Sequence, residues 1–165
     1  PGSVLVLKNR LLTCEDTRSR IQTKFTQLGI ARERVVFLPY EEAQVDHLLH
    51  YHHIDIALDP FPYNGTTTTC EALWMGVPVI TRTGDRHASR VGTSLLGTIG
   101  APELIGSSEE EYVNLAVDLA ENKVRLQSYR RTLRDQMKMS PLGDYKAFAG
   151  NMESVLKGFV AQRSP

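Results

Sequence analysis

Cysteine is scarce: Cys14 and Cys70 are the only two in 165 residues. Two isolated thiols give neither a disulfide framework nor a thiolate metal cage, and they read as free thiols of a reducing, cytoplasmic compartment. Charge of one sign is also missing, with 19 basic and 19 acidic side chains. No net field therefore draws the chain to nucleic acid or to an anionic membrane surface. No apolar run approaches the roughly 20 residues of a spanning helix, and no signal peptide opens the chain. Repeats and low-complexity tracts are absent. So are two phosphate-binding fingerprints: no G-x-G-x-x-G follows a strand, and Gly65 is not followed by the Gly-Lys-Ser/Thr of a P-loop.

What is present alternates between two periods. Val4 to Lys8, Val35 to Leu38, Ile54 to Leu58 and Val77 to Thr81 are short apolar runs that read as buried parallel strands. Between them, Glu15 to Leu28 carries Ile21, Phe25 and Leu28 at helical spacing before Gly29, a natural residue to follow a helix. Glu41 to Tyr51 is expected to be a helix with Val45, Leu48 and Leu49 inward, and Thr68 to Met75 another, closed by Gly76. Ala88 to Leu96 is the next helix, after a polar loop from Thr83. Beyond Gly100 the expectation is helices alone. One starts at a capping box, Ser107 with Glu110 or Ser108 with Glu111; the others run from Lys123 to Met139 and from Tyr145 to Val160. Strand–helix repetition predicts an α/β, Rossmann-like parallel sheet with helices on both faces and closing helices at the C-terminus. The whole of 1–165 is read as a single domain. The abrupt start at Pro1-Gly2-Ser3 suggests a fragment of a longer protein.

The most informative segment is Asp59 to Pro78. A strand runs into a Pro- and Gly-broken turn, then four threonines, Thr66 to Thr69, then a helix with Glu71 in its early turns. Backbone N–H groups of Thr67, Thr68 and Thr69, their hydroxyls, and a helix dipole then meet at one point, with Gly65 allowing close approach. Such a point suits a diphosphate, and Glu71 one turn on suits two ribose hydroxyls. A Thr-rich cap and a carboxylate that only complements the dipole would give the same pattern. Ligands of parallel sheets lie beyond the carboxyl ends of the strands, which is where this turn falls.

Other clusters are less specific. His47 and His50 share a helix face, but no cysteine is near and Asp46 and Asp55 do not complete a ligand set, so no metal is expected. They read as surface histidines, or His47 flanks a flat ligand such as a nucleobase. Arg86, His87 and Arg90 form a basic loop suited to an anion or a partner domain. Arg125, Arg130, Arg131 and Arg134 read as a solvated helix face without the aromatics of a single-strand binder.

Across Pro60 to Gly76 and Gly84 to Val91, and on through Glu103-Leu104-Ile105 and Glu111-Tyr112, the chain resembles the catalytic region of O-GlcNAc transferases and SPINDLY-like proteins, most of all a bacterial member. The resemblance implies the C-terminal, nucleotide-sugar-binding half of a GT-B glycosyltransferase. It implies nucleotide-base contacts at Glu42 and His47, a diphosphate site at Asn64, Gly65, Thr66, Thr67 and Thr68, and a ribose contact at Glu71. Thr66 stands where animal enzymes carry His, and His50 where they carry Arg. The family's diphosphate lysine would lie upstream of Val4, at a position Lys8 does not occupy. The implied activity is inverting, metal-independent transfer from UDP-GlcNAc to a protein Ser or Thr, in keeping with the absence of an Asp-x-Asp triplet. No cofactor is implied beyond the donor. The implied partners are the acceptor protein, the N-terminal catalytic half and its tetratricopeptide repeats. A SPINDLY-type transferase using GDP-fucose and a non-catalytic Rossmann-like interaction module are the alternatives. The general base is not identifiable from this stretch.

Overall fold

The computed structural model of the chain describes residues 2–162. Contacts divide it into two compact units, Pro1–His50 and Tyr51–Pro165, where the sequence reading takes one domain. Each has its own parallel strands.

In the first unit, β1 (Leu5–Leu7) pairs in parallel with β2 (Val35–Phe37), Leu5 opposite Val35 and Leu7 opposite Phe37. Helix α1 (Glu15–Gln27) joins them. It ends as expected at Gly29, whose φ of 78° belongs to the left-handed region. The Gly29 N–H donates to Thr26 O and that of Ile30 to Phe25 O, the paired bonds that satisfy a helix's last carbonyls. Helix α2 differs from expectation. It covers only Gln44–Leu49, preceded by a bend at Glu42 and followed by a 3-10 turn at His50–His53. Ala43 stands at its N-terminal cap position without a side-chain bond, so nothing local extends the helix back to Glu41. Val45 and Leu49 lie outward and exposed, and Leu28, just after α1, likewise. A two-stranded sheet buries too little surface to take every apolar side chain that helical spacing offers it.

The second unit alternates as the sequence implies: β3 (Ala57–Leu58), α3 (Thr67–Trp74), β4 (Val79–Arg82), α4 (Val91–Thr98), then β5 (Ile105–Gly106), a strand not foreseen. The three strands are parallel in the order β3-β4-β5. Ile80, Leu73, Leu96 and Leu104 are wholly buried around central β4, joined by Leu119 and Leu133 from the later helices. α3 closes at Gly76 with the same paired bonds as α1, Gly76 N–H to Leu73 O and Val77 N–H to Ala72 O.

Helices α5 (Glu109–Glu121), α6 (Lys123–Met139) and α7 (Tyr145–Ala161) follow. No residue of α7 is buried. Among the described residues no helix is long and apolar enough to cross a membrane.

The arginine face of α6 is corrected by the structure. Arg130 reaches across to donate to the carbonyls of Ile54 at 2.6 Å, Tyr51 at 3.2 Å and Met75 at 3.4 Å. Arg134 donates to Trp74 O at 2.6 Å and lies over the Trp74 ring. These guanidiniums tie α6 to the C-terminal end of α3 and to the segment before β3, while Arg131 is exposed to solvent.

At the start of α5, Ser108 Oγ accepts from the Glu111 N–H, and the Glu111 carboxylate accepts from Ser107 N at 2.7 Å and Ser107 Oγ at 2.6 Å. This is the second of the two expected pairings, with the carboxylate reaching one residue further back. The Ser107 hydroxyl and then its N–H hold the Glu111 carboxyl below the ordinary carboxylate range. A depressed carboxyl favours the fold above its unfolded value, and that contribution disappears as pH falls through the folded value. The Ser107 amide proton is therefore expected to move upfield in an NMR titration only below the usual carboxylate range. A Ser107 shift unaffected by acid, or unchanged by Glu111→Gln, would contradict this cap.

Candidate functional site

The turn beyond β3 is built from its buried acid. Asp59 is 3 % exposed. One carboxylate oxygen accepts from the Gly65 N–H at 2.7 Å, and the other accepts from Thr81 Oγ1 at 2.6 Å. Its backbone is fixed too: the Asp59 N–H donates to Ile80 O, and Asp59 O accepts from the Tyr112 hydroxyl at 3.1 Å. Burial pushes the Asp59 carboxyl up, while the bonds from Thr81 and Gly65 pull it down. Burial, and then the Asp59 charge, push the Tyr112 phenol up to about 12. Tyr112 is thus a neutral donor throughout the physiological range.

Asn64, 2 % exposed, fastens the other end of the turn. Its Nδ2 donates to Pro60 O at 3.0 Å, its Oδ1 accepts from Gly92 N at 3.3 Å, and its own N–H donates to Ala88 O at 2.8 Å. The Asn64 side chain therefore shapes the turn from inside. Ala88 belongs to the second stretch that carries the resemblance and Gly92 follows directly on its end, so the two stretches form one hydrogen-bonded unit. Gly92 has to be glycine here, because a Cβ would collide with Asp59 Oδ2 and Thr81 Oγ1. Beside them, Arg82 lies 4.2 Å over the Phe61 ring.

On this frame sits the start of α3. A Cβ at Gly65 would lie 2.5 Å from Thr68 Oγ1 and 2.9 Å from Thr69 Oγ1, so glycine lets the backbone lie against the threonines. The helix begins at Thr67, one residue earlier than expected. Thr66, at its cap position, makes no side-chain capping bond, and the first turn holds no acidic residue. The first bond of the helical ladder is Cys70 N–H to Thr66 O. Thr67, Thr68 and Thr69 accordingly present first-turn N–H groups that the helix itself does not satisfy. Thr66, Thr67 and Thr68 are exposed. Thr69 is only 4 % exposed, which removes its hydroxyl from the outer face. Glu71 is half-buried, four residues on from Thr67 and three from Thr68, hence on their side of the helix. Tyr51 donates its hydroxyl to Thr68 O at 3.3 Å; burial and then the charge of Glu71 push this phenol up to about 12. The result is a rigid, positive helix end with two hydroxyls and a carboxylate one turn in.

In the first unit, Glu42 is exposed in the bend before α2, and His47 lies on α2. His47 borders a hollow of about 280 Å³ with Lys8, Asn9, Arg10, Tyr40, Glu41 and Gln44. These residues follow the carboxyl ends of β1 and β2, so each unit places its candidate residues at that end of its strands. Lys8 Nζ and His47 Nδ1 are 2.8 Å apart, and His50 Nε2 is 3.3 Å from Glu41 Oε1. Among the described residues, no three His, Cys, Asp or Glu side chains gather as a metal site.

Sequence reasoning overlooked Asp59, Thr81, Gly92 and Tyr112. One signal was available: an acid at the end of an apolar strand, followed by a Pro- and Gly-rich turn, is a candidate for holding that turn.

The profile of Glycosyl transferase family 41 matches residues 1–152. A probable UDP-N-acetylglucosamine–peptide N-acetylglucosaminyltransferase SPINDLY of Arabidopsis thaliana is 45% identical over 157 residues, 95% of this chain and 17% of that protein. A UDP-N-acetylglucosamine–peptide N-acetylglucosaminyltransferase of Caenorhabditis elegans is 34% identical over 128 residues, 78% of this chain and 11% of that protein. Among solved structures, a mutant of the Thermobaculum terrenum O-GlcNAc transferase superposes with a TM-score of 0.83 at 37% identity, covering 91% of this chain and 29% of its own. The chain thus spans about a sixth of the SPINDLY relative and under a third of the solved transferase.

Proposed function

The chain belongs to glycosyl transferase family 41, and on that premise we propose that it is the nucleotide-sugar-binding part of a longer protein O-glycosyltransferase. UDP-GlcNAc is the proposed donor and a protein Ser or Thr the acceptor; the named activities of the relatives support this. The observation that carries the reading is the uncapped start of α3, locked in place by Asp59 and Asn64. A diphosphate seated there would accept from the N–H groups of Thr67 and Thr68 and from their hydroxyls, with Glu71 holding the ribose and Asn64, Gly65 and Thr66 forming the bend beneath. Glu42 and His47 would meet the base. As the sugar leaves, negative charge grows on the diphosphate, and fixed dipoles stabilise it without having to reorient. We propose the transfer to be inverting and metal-independent, with no cofactor beyond the donor. Tetratricopeptide repeats beside the proposed N-terminal half would recruit the acceptor in the cytoplasm.

Titrating the chain with UDP and with GDP, followed by backbone amide NMR, tests the donor. UDP is expected to shift the amides of Thr67 and Thr68 and to bind weakly, with Glu71→Ala lowering the affinity roughly tenfold through loss of a charged hydrogen-bond acceptor. A preference for GDP would replace the UDP-sugar by a GDP-sugar such as GDP-fucose. Binding of neither, in the chain and in a version extended to the length of its relatives, would leave an interaction module.

A further inference from the structure

The hollow beyond β1 and β2 contains one contact that neither the sequence pattern nor the proposed nucleotide site accounts for: Lys8 Nζ lies 2.8 Å from His47 Nδ1. A lysine ammonium carries three donors and no acceptor. Its partner nitrogen has to offer a lone pair, so Nδ1 is unprotonated and the ring proton sits on Nε2. We infer that Lys8 is a positioning residue that fixes His47 as the Nε2–H tautomer, so that the ring offers a donor, not an acceptor, to an oxygen of a bound nucleotide. Lys8 directly follows β1, whose last residue Leu7 is paired with Phe37 of β2, and His47 is held on α2, so both partners are anchored by regular elements. Arg10 and Glu41 border the same hollow, with Tyr40 beneath Arg10. The nucleotide half of this inference rests on the function proposed above; the tautomer half does not.

The two halves separate experimentally. In the 165-residue chain labelled with 15N-histidine, His47 is expected to give well-separated nitrogen signals, Nδ1 at the unprotonated position and Nε2 at the protonated one. Lys8→Met should draw the two signals together as tautomers exchange, and Lys8→Arg should restore the separation. Nitrogen signals already averaged in the unsubstituted chain, or unmoved by Lys8→Met, would overturn the inference whether or not nucleotide binds. For UDP followed by NMR, Lys8→Met is expected to weaken binding roughly tenfold in the native background and to have no further effect beside His47→Ala. Equal weakening in both backgrounds would mean that Lys8 touches the ligand itself, and would overturn its role through His47. Absence of any UDP or GDP binding would count against the proposed function, while the tautomer signals still decide the lysine's role.

Discussion

Replacing Asp59 by alanine is expected to lower the melting temperature by roughly 5–15 °C, because it strands two buried donors and leaves a cavity worth about 2–4 kcal/mol. The donors are the Gly65 N–H and the Thr81 hydroxyl, on either side of one carboxylate. Asp59→Asn should cost far less: the amide oxygen accepts from Gly65, and the Thr81 hydroxyl turns to accept from the amide nitrogen. The two variants also differ in pH dependence. Burial pushes the folded Asp59 carboxyl up, so the folded chain holds that proton to a higher pH than the unfolded chain does. Stability from this group therefore falls as pH rises from the ordinary carboxylate range through the folded value, and Asp59→Asn should flatten that slope. Thermal denaturation over a pH series reads all three behaviours. Equal melting temperatures for the alanine variant and the native chain would remove Asp59 as the brace of the turn.

The second large effect is chemical. Thr67→Ala combined with Thr68→Ala is expected to lower turnover of the proposed longer transferase by roughly a hundredfold to ten-thousandfold, from loss of the two hydrogen bonds proposed to the diphosphate. Both threonines are exposed at the start of α3, and alanine is the better helix former, so stability should hold or rise slightly. Thr67→Ser with Thr68→Ser keeps the hydroxyls and should recover most of the rate. Undiminished turnover in the alanine pair, measured as sugar transferred to an acceptor protein, would move the diphosphate elsewhere. The Asp59 and threonine experiments are complementary: one changes the frame and the melting temperature, the other changes the groups proposed to hold the diphosphate and leaves the frame alone.

The membership in family 41 and the fold of an O-GlcNAc transferase segment agree with the motifs from Pro60 to Gly76 and Gly84 to Val91. Those motifs are runs of neighbouring residues, and runs are what a sequence displays. The ends of α1 and α3 were equally plain, since a glycine after a helical stretch is a local signal with a local cause. α6 matched its expected bounds, Lys123–Met139, for the same reason. α2 did not match, because its apolar side chains had no sheet surface to cover and its start had no cap.

The Thr turn, its glycine and the strand–helix order follow from residues within one or two turns of each other, and the sequence alone determined them. The roles of Asp59, Asn64 and Arg130 did not follow from it. Asp59 takes its partners from Thr81, 22 residues on, and Tyr112, 53 residues on, while Arg130 bonds Ile54 from 76 residues away. A buried polar group must find donors or acceptors wherever the folded chain brings them, and periodicity carries no record of such distant pairings. Tertiary structure alone decided that an acid in a loop would be the keystone of the turn, and that two arginines of a helix read as solvated would hold the backbone together.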